Sequence, residues 1–261
     1  MKGTREARRE ILLVVCDWAM HPEKVSSESL SEFPAEIRPM KVKCIGGVDP
    51  VLLMESFLEG VDGIFLVGCK EGDCHFMEGN LQGEHKIRLI EKLLGLAGLE
   101  PRRLGYELMS ALDEDLFKDS LTDFIGRAEA LGDNPFSAEQ TDPELLDSSL
   151  AAKAVLEGFR ARALVGMELE LLEKGNVYGE RVSRLRFGEV QDEALRAEFF
   201  RSWIYLLLRK GPLSVQELSE RTGLREGQVL RHIVAMRQRN LVSMERIDGV
   251  TPLYRALEAL R

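Results

Sequence analysis

Over the first 130 residues, short apolar runs alternate with longer stretches of helical period. Residues 10–15, EILLVV, form a β-branched run that stops at Cys16. Residues 39–43, PMKVK, alternate so that Met40 and Val42 share a face, and this stretch stops at Cys44. Residues 62–67, DGIFLV, are apolar almost throughout, the pattern of a strand buried on both faces, and lead into Gly68 and Cys69. A fourth strand is predicted over 102–108, RRLGYEL. Between these runs the period changes to that of a helix. Asp49 is placed to cap a helix with Pro50 at its first position and VLLMESFLEG behind it. The stretch NLQGEHKIRLIEKLLGLAG puts Ile87, Ile90, Leu93 and Leu94 on one face, and DEDLFKDSLTDFIGRAEALG does the same with Leu116, Leu121, Phe124 and Ile125.

Strands alternating with helices at this spacing predict βαβ units, hence an α/β fold with a parallel, flavodoxin-like sheet flanked by helices. Every strand of such a sheet ends at the same edge, which is where ligands bind. Cys16, Cys44 and Cys69 each follow a different predicted strand, and Cys74 lies five residues beyond the last of them. The four cysteines of the chain are therefore expected as a cluster at the strand C-termini.

The remainder of the chain has a different pattern. Residues 133–150, DNPFSAEQTDPELLDSSL, are polar and acidic with two prolines and are expected as a linker or surface loop. One long helix is predicted after them, ending at Gly175, and the glycine-bearing GNVYGERVS interrupts the pattern. From about residue 189 the order is helix, turn at Gly211-Pro212, short helix capped by Ser214, helix, and a hairpin turning at Asp248-Gly249, a generic winged-helix order. The expected organisation is an α/β domain over 1–135, a linker and connecting helix over 136–188, and a smaller winged-helix domain over 189–261. The third helix carries Arg225, Arg231, Arg237 and Arg239 with His232. Residues 190–261 hold twelve Lys/Arg against nine Asp/Glu, a slight basic excess that favours docking to a protein partner over DNA.

Composition narrows the class of function. With 44% hydrophobic and 30% charged residues the chain has an ordinary globular make-up. A net charge of -9 repels a phosphate backbone and argues against a general nucleic-acid binder. The apolar run near the N-terminus is too short for a signal-peptide core or a membrane span, so a cytoplasmic location without membrane contact is expected. Without an export signal, two structural disulfides are disfavoured. Four thiolates at one locus select zinc or an iron–sulfur cluster. Structural zinc sites usually take their ligands from tight knuckles, whereas Cys16 and Cys44 stand alone and Cys69-x4-Cys74 is wide, which favours a [2Fe–2S] cluster on all four with zinc as the alternative. His75 and Asp73 flank Cys74 but make no legible Cys–His nucleophile, and no catalytic residue is predicted. Trp18 is expected in the core and His85 on a solvated helix face.

The stretch VKCIGGVDPVLLMESFLEGVDGIFLVGCKEGDCHFMEGN resembles the delta subunit of the methyl-viologen-reducing hydrogenase family, iron–sulfur proteins associated with heterodisulfide reductase. That family carries C-S-G-R-V-D-P after its second strand and G-C-H-x-G-D-C-H-Y-x-x-G-N after its third. Cys44, Val48, Asp49 and Pro50 match the former; Gly68, Cys69, Gly72, Asp73, Cys74, His75, Gly79 and Asn80 match the latter, with Phe76 in place of the tyrosine. The family's first motif is a C-x-x-C pair, but here CDWA leaves Cys16 with Ala19, and Gly47 replaces a basic residue. The resemblance covers roughly residues 9–132. It implies a non-catalytic electron-transfer subunit that relays electrons from a donor subunit to a flavin-containing, heterodisulfide-reductase-like subunit. The alternative, from the C-terminal pattern, is a redox-sensing iron–sulfur transcription regulator that binds DNA through the winged helix.

Overall fold

The computed structural model describes residues 8–138 and 141–257. The chain forms two compact units. The first comprises the residues up to Gly95, Glu100–Thr141 and Val165–Arg181; the second comprises Leu96–Leu99, Asp142–Leu164 and the chain from Val182 onward.

The first unit is built on a parallel sheet of β1 (Glu10–Cys16), β2 (Glu36–Val42), β3 (Gly63–Cys69) and β4 (Leu104–Met109), in the order β2-β1-β3-β4. The predicted α/β fold with a parallel sheet is therefore present. Its strand boundaries differ from the sequence pattern by a few residues, most at β2, which begins at Glu36. Pro39, which has no N–H to donate, is accommodated because β2 is an edge strand paired only with β1. All seven residues of β3 are buried, as its unbroken apolar run predicts. Connections are made by α1 (Ser27–Leu30), α2 (Pro50–Leu58) and α3 (Gly79–Ala97), and α4 (Glu114–Leu131) follows β4. The Asp49 side chain accepts the Val51 N–H and Pro50 opens α2, as predicted. Phe124 of α4 lies against the backbone of Gly63 and Gly105, where any side chain on either strand would overlap its ring.

At the N-terminal edge of the sheet, three buried polar side chains close the ladder. The Asp62 carboxylate accepts the N–H groups of Glu10 at 2.9 Å and Asn134 at 2.7 Å. The Asn134 amide donates to the carbonyls of Phe57 and Val61, and its oxygen accepts the Phe136 N–H. Arg103 donates to the Asp62 carbonyl and to those of Leu131, Gly132 and Asp133, the last three at and just past the end of α4.

Residues 133–150 correct the linker expectation. Asp142 caps α5 (Pro143–Glu157), with Pro143 in its first turn, so half of the supposed loop is helix. The single long helix expected next is two, because Gly158 is extended and separates α5 from α6 (Phe159–Glu173). The division between the two units falls within α6.

In the second unit α5 packs on the long α7 (Arg184–Lys210), and Lys210 pairs with the buried Asp147 at 2.5 Å. The winged-helix order follows: α8 (Val215–Thr222), α9 (Glu226–Arg237) and the antiparallel hairpin of β5 (Val242–Asp248) and β6 (Thr251–Ala256). Ser214 and Glu217 form a reciprocal capping box, and Gly223, at φ 68°, ends α8 in the left-handed region. Among the described residues no helix is long and apolar enough to cross a membrane.

Replacing Asn134 by Ala removes its side-chain hydrogen bonds to the Phe57 and Val61 carbonyls and from the Phe136 N–H and should cost about 2–3 kcal/mol, measured as a lower urea midpoint. The Ser214 N–H holds the Glu217 carboxyl below the usual carboxylate range. That stabilisation is present above the ordinary pKa of 4.5 and is lost as the pH falls through the lower folded value. Glu217→Ala, which removes the acceptor of that N–H, should therefore destabilise the second unit by about 0.5 kcal/mol near neutral pH and by less in acid, a difference readable in unfolding curves at the two pH values.

Candidate metal centre

The C-terminal edge of the sheet gathers the cysteines. Cys16 is the last residue of β1 and Cys69 the last of β3, and these strands are neighbours in the sheet. Their sulfurs lie 3.6 Å apart, both side chains buried. Cys44 follows β2 by two residues, and Cys74 lies in the loop between β3 and α3; both are half-buried. These two meet at Gly79, the first residue of α3. A methyl group on Gly79 would overlap the Cys44 sulfur and lie 3.3 Å from that of Cys74. Gly46 is equally constrained, because any side chain there would run into the Gly79 carbonyl. The thiols thus come as two pairs. Among the described residues no three His, Cys, Asp or Glu side chains are gathered closely enough to hold one ion together.

The two pairs share one electrostatic environment. Burial pushes the Cys69 thiol up to about 12, and the charges of Cys16 and Cys74 add to this, while the His75 N–H pulls it down. Burial also raises Cys44, with Cys74 and Cys16 adding to it and the Gly46 N–H opposing. Each pair therefore contains one sulfur that accepts a backbone hydrogen bond, the kind of donor that stabilises a thiolate once its proton has left.

Side chains that hold the loops were not evident from the sequence. The Asn80 amide donates to the Cys69 carbonyl at 3.1 Å, and its own oxygen is buried without a partner. Lys86 donates to the carbonyls of Gly46 and Val48, pinning the loop that carries Cys44. Asn80 belongs to a quoted motif, but Lys86 looks like an ordinary charged helix position, and only the fold turns it inward. Trp18, expected in the core, is 51% exposed; it stacks on the His75 ring at 3.9 Å, and Phe76 meets the same ring edge-on. His85, expected in solvent, is buried, with Glu168 3.7 Å from its Nε2. Asp73 is exposed.

A groove of about 750 Å³ opens beside Cys44, lined by Met40, Val42, Gly47, Leu52 and Phe76 among others. In the second unit, Arg225, Arg231, Arg237 and Arg239 are exposed on or beside α9, as are Leu230 and Val234. His232 is half-buried, and burial lowers its pKa, with Arg201 and Arg231 adding to this.

Comparison with known proteins follows this division of the chain. Residues 11–132 match the family model of the methyl-viologen-reducing hydrogenase delta subunit, and residues 201–244 match that of bacterial regulatory proteins of the arsR family. The iron-sulfur subunit of the F420-non-reducing hydrogenase of Archaeoglobus profundus is 31% identical over 138 residues, which are 52% of this chain and 99% of that protein. The vhu iron-sulfur subunit of the F420-non-reducing hydrogenase of Methanocaldococcus jannaschii is 31% identical over 115 residues, 44% of this chain and 86% of its own length. In the ferredoxin:CoB-CoM heterodisulfide reductase of Methanosarcina mazei, one subunit is 24% identical over 123 residues, 47% of this chain but only 16% of that protein. With 31% identity over 99% of the length of one such relative, the chain belongs to the methyl-viologen-reducing hydrogenase delta-subunit family.

Proposed function

We propose that the first unit is a one-electron relay in which Cys16, Cys44, Cys69 and Cys74 hold a single [2Fe–2S] cluster. The observation that carries this reading is the meeting of four thiols from three strand ends, in two pairs, at one edge of the sheet. A binuclear cluster needs four protein thiolates, two on each metal, whereas zinc needs all four around one point. Paired thiols suit the former. Bound there, the cluster would accept and release single electrons. The chain's own residues supply the rest. Gly46 and His75 donate N–H groups to sulfur, Gly79 leaves room for the sulfurs to approach, and Asn80 and Lys86 fix the two loops.

The partners in this reading are a flavin-containing, heterodisulfide-reductase-like subunit that accepts the electrons, together with a subunit that donates them. Relatives named as hydrogenase and heterodisulfide reductase subunits support it. The second unit anchors the relay in that complex. A second reading, an iron–sulfur transcription regulator, is favoured by one observation, the match of residues 201–244 to arsR-family regulators.

Protein purified without oxygen should be coloured, contain iron and sulfide in equal amounts, and give a rhombic EPR signal after reduction with dithionite. Colourless protein carrying one zinc would refute the cluster. Gly79→Ala should weaken cluster retention by roughly 10- to 100-fold, the range usual for changes just outside a metal's ligands, while circular dichroism stays native. Salt-sensitive binding to a specific DNA site, with no copurifying partner protein, would decide for the regulator.

A further inference from the structure

The two thiol pairs are unequal, and the difference bears on how a binuclear centre would be divided between them. Cys16 and Cys69 are the terminal residues of adjacent strands, held opposite Val42 of β2 and Met109 of β4, with 1% and 3% of their surface exposed. Two thiolates on one tetrahedral metal with bonds of about 2.3 Å are separated by about 3.8 Å. At 3.6 Å, this pair already has the spacing of one tetrahedral edge. Cys44 and Cys74 belong to loops, sit together over Gly79, and are half-buried. Cys44, Gly79 and Phe76 also form part of the groove wall, so one sulfur of this pair borders the opening, whereas neither Cys16 nor Cys69 lines it.

Resting on the cluster reading above, we infer that Cys16 and Cys69 ligate one iron and Cys44 and Cys74 the other, and that the Cys44–Cys74 iron is the one reduced. Proximity in the chain suggests a different pairing, Cys69 with Cys74. The fold opposes it, because β3 delivers Cys69 to β1 while the loop beyond carries Cys74 across to Gly79.

The choice of iron follows from two influences on reduction, hydrogen bonds to sulfur and exposure to solvent. Hydrogen bonds do not separate the pairs, since Gly46 donates to Cys44 and His75 donates to Cys69. Exposure does. The electron adds one negative charge to the centre, and that charge is better solvated beside the groove than between two buried strand ends. No bond to protein forms or breaks in this step; the electron comes from the external reductant, and one ferric ion becomes ferrous.

Four full-length variants test the assignment: Cys16→Ser, Cys44→Ser, Cys69→Ser and Cys74→Ser, each loaded with 57Fe and sulfide and reduced with dithionite. Mössbauer spectra separate the ferric and ferrous sites. Cys44→Ser and Cys74→Ser should alter the ferrous subspectrum and lower the midpoint potential the more; Cys16→Ser and Cys69→Ser should alter the ferric one. If Cys69→Ser and Cys74→Ser act on the same iron, the pairing is wrong. If the inner pair acts on the ferrous site, the choice of iron is wrong. A variant that assembles no cluster does not end the test, because pulsed EPR of the wild-type protein in D2O reads the same assignment. Strong deuteron coupling at the ferrous site supports the groove side, and weak coupling overturns it. Wild-type protein that binds no iron and sulfide refutes the cluster itself, which keeps that failure distinct from a mistaken pairing.

Discussion

The arrangement depends on one topological constraint, the reversal of strand order between β1 and β3. From β1 the chain crosses over to β2 on one side, and from β2 it returns past β1 to β3 on the other. Right-handed crossovers then leave the carboxyl ends of β1 and β3 uncovered between the two connections, which is where open α/β sheets bind ligands. Cys16 and Cys69 stand at those two ends. Strand pairing brings these ends together, since the β1–β3 register runs to Val15 and Val67, one residue short of Cys16 and two short of Cys69. The Asp62, Asn134 and Arg103 hydrogen bonds lock the opposite edge of the same strands. A pair of thiols held in this way needs no metal to bring it together.

The second pair lacks that support from a ladder and is held by packing and small residues instead. Ile45 fills the space over Gly68 and Gly83, where a side chain at either glycine would overlap it, and this fastens the Cys44 loop to β3 and α3. Gly46 and Gly79 then bring two backbones into direct contact, and Lys86 takes up the carbonyls of Gly46 and Val48 that the tight loop exposes. Preorganisation of this kind is what keeps a ligand set from depending on loop flexibility. It also explains why glycine, and not merely a small residue, is required at positions 46 and 79: the obstacles are a carbonyl oxygen and a sulfur, neither of which can move aside as a flexible side chain would.

Features that rest on local chemistry were legible in the sequence. The apolar runs ending at Cys16 and Cys69, the Asp49-Pro50 helix start and the Ser214 cap all follow from residue type and spacing. Features decided by distant parts of the chain were not. Trp18 has the composition of a core residue but stacks outside on His75, whereas His85 lies in a polar stretch yet is buried beside Glu168. Gly158 breaks what the helical period suggested was one long helix, because its backbone turns extended where the apolar stripe alone gave no sign of a stop. The partners within each thiol pair were hidden for the same reason. Cys69 and Cys74 are close in sequence, but only the strand order shows that Cys69 faces Cys16.

The second unit raises the question of what a winged helix does in such a protein, and surface chemistry favours one answer. A helix that reads DNA gains most of its affinity from cations facing phosphates, and that gain must overcome the repulsion from a chain of net charge -9. Residues 190–261 contribute an excess of only three positive charges. The outer face of α9 combines its arginines with the exposed Leu230 and Val234, one helical turn apart. Apolar surface loses little and gains much against another protein, while against the polar, hydrated edges of base pairs it finds few partners beyond thymine methyl groups. The same helix-turn-helix scaffold therefore suits a protein contact better than an operator, in keeping with the relay proposed for the first unit.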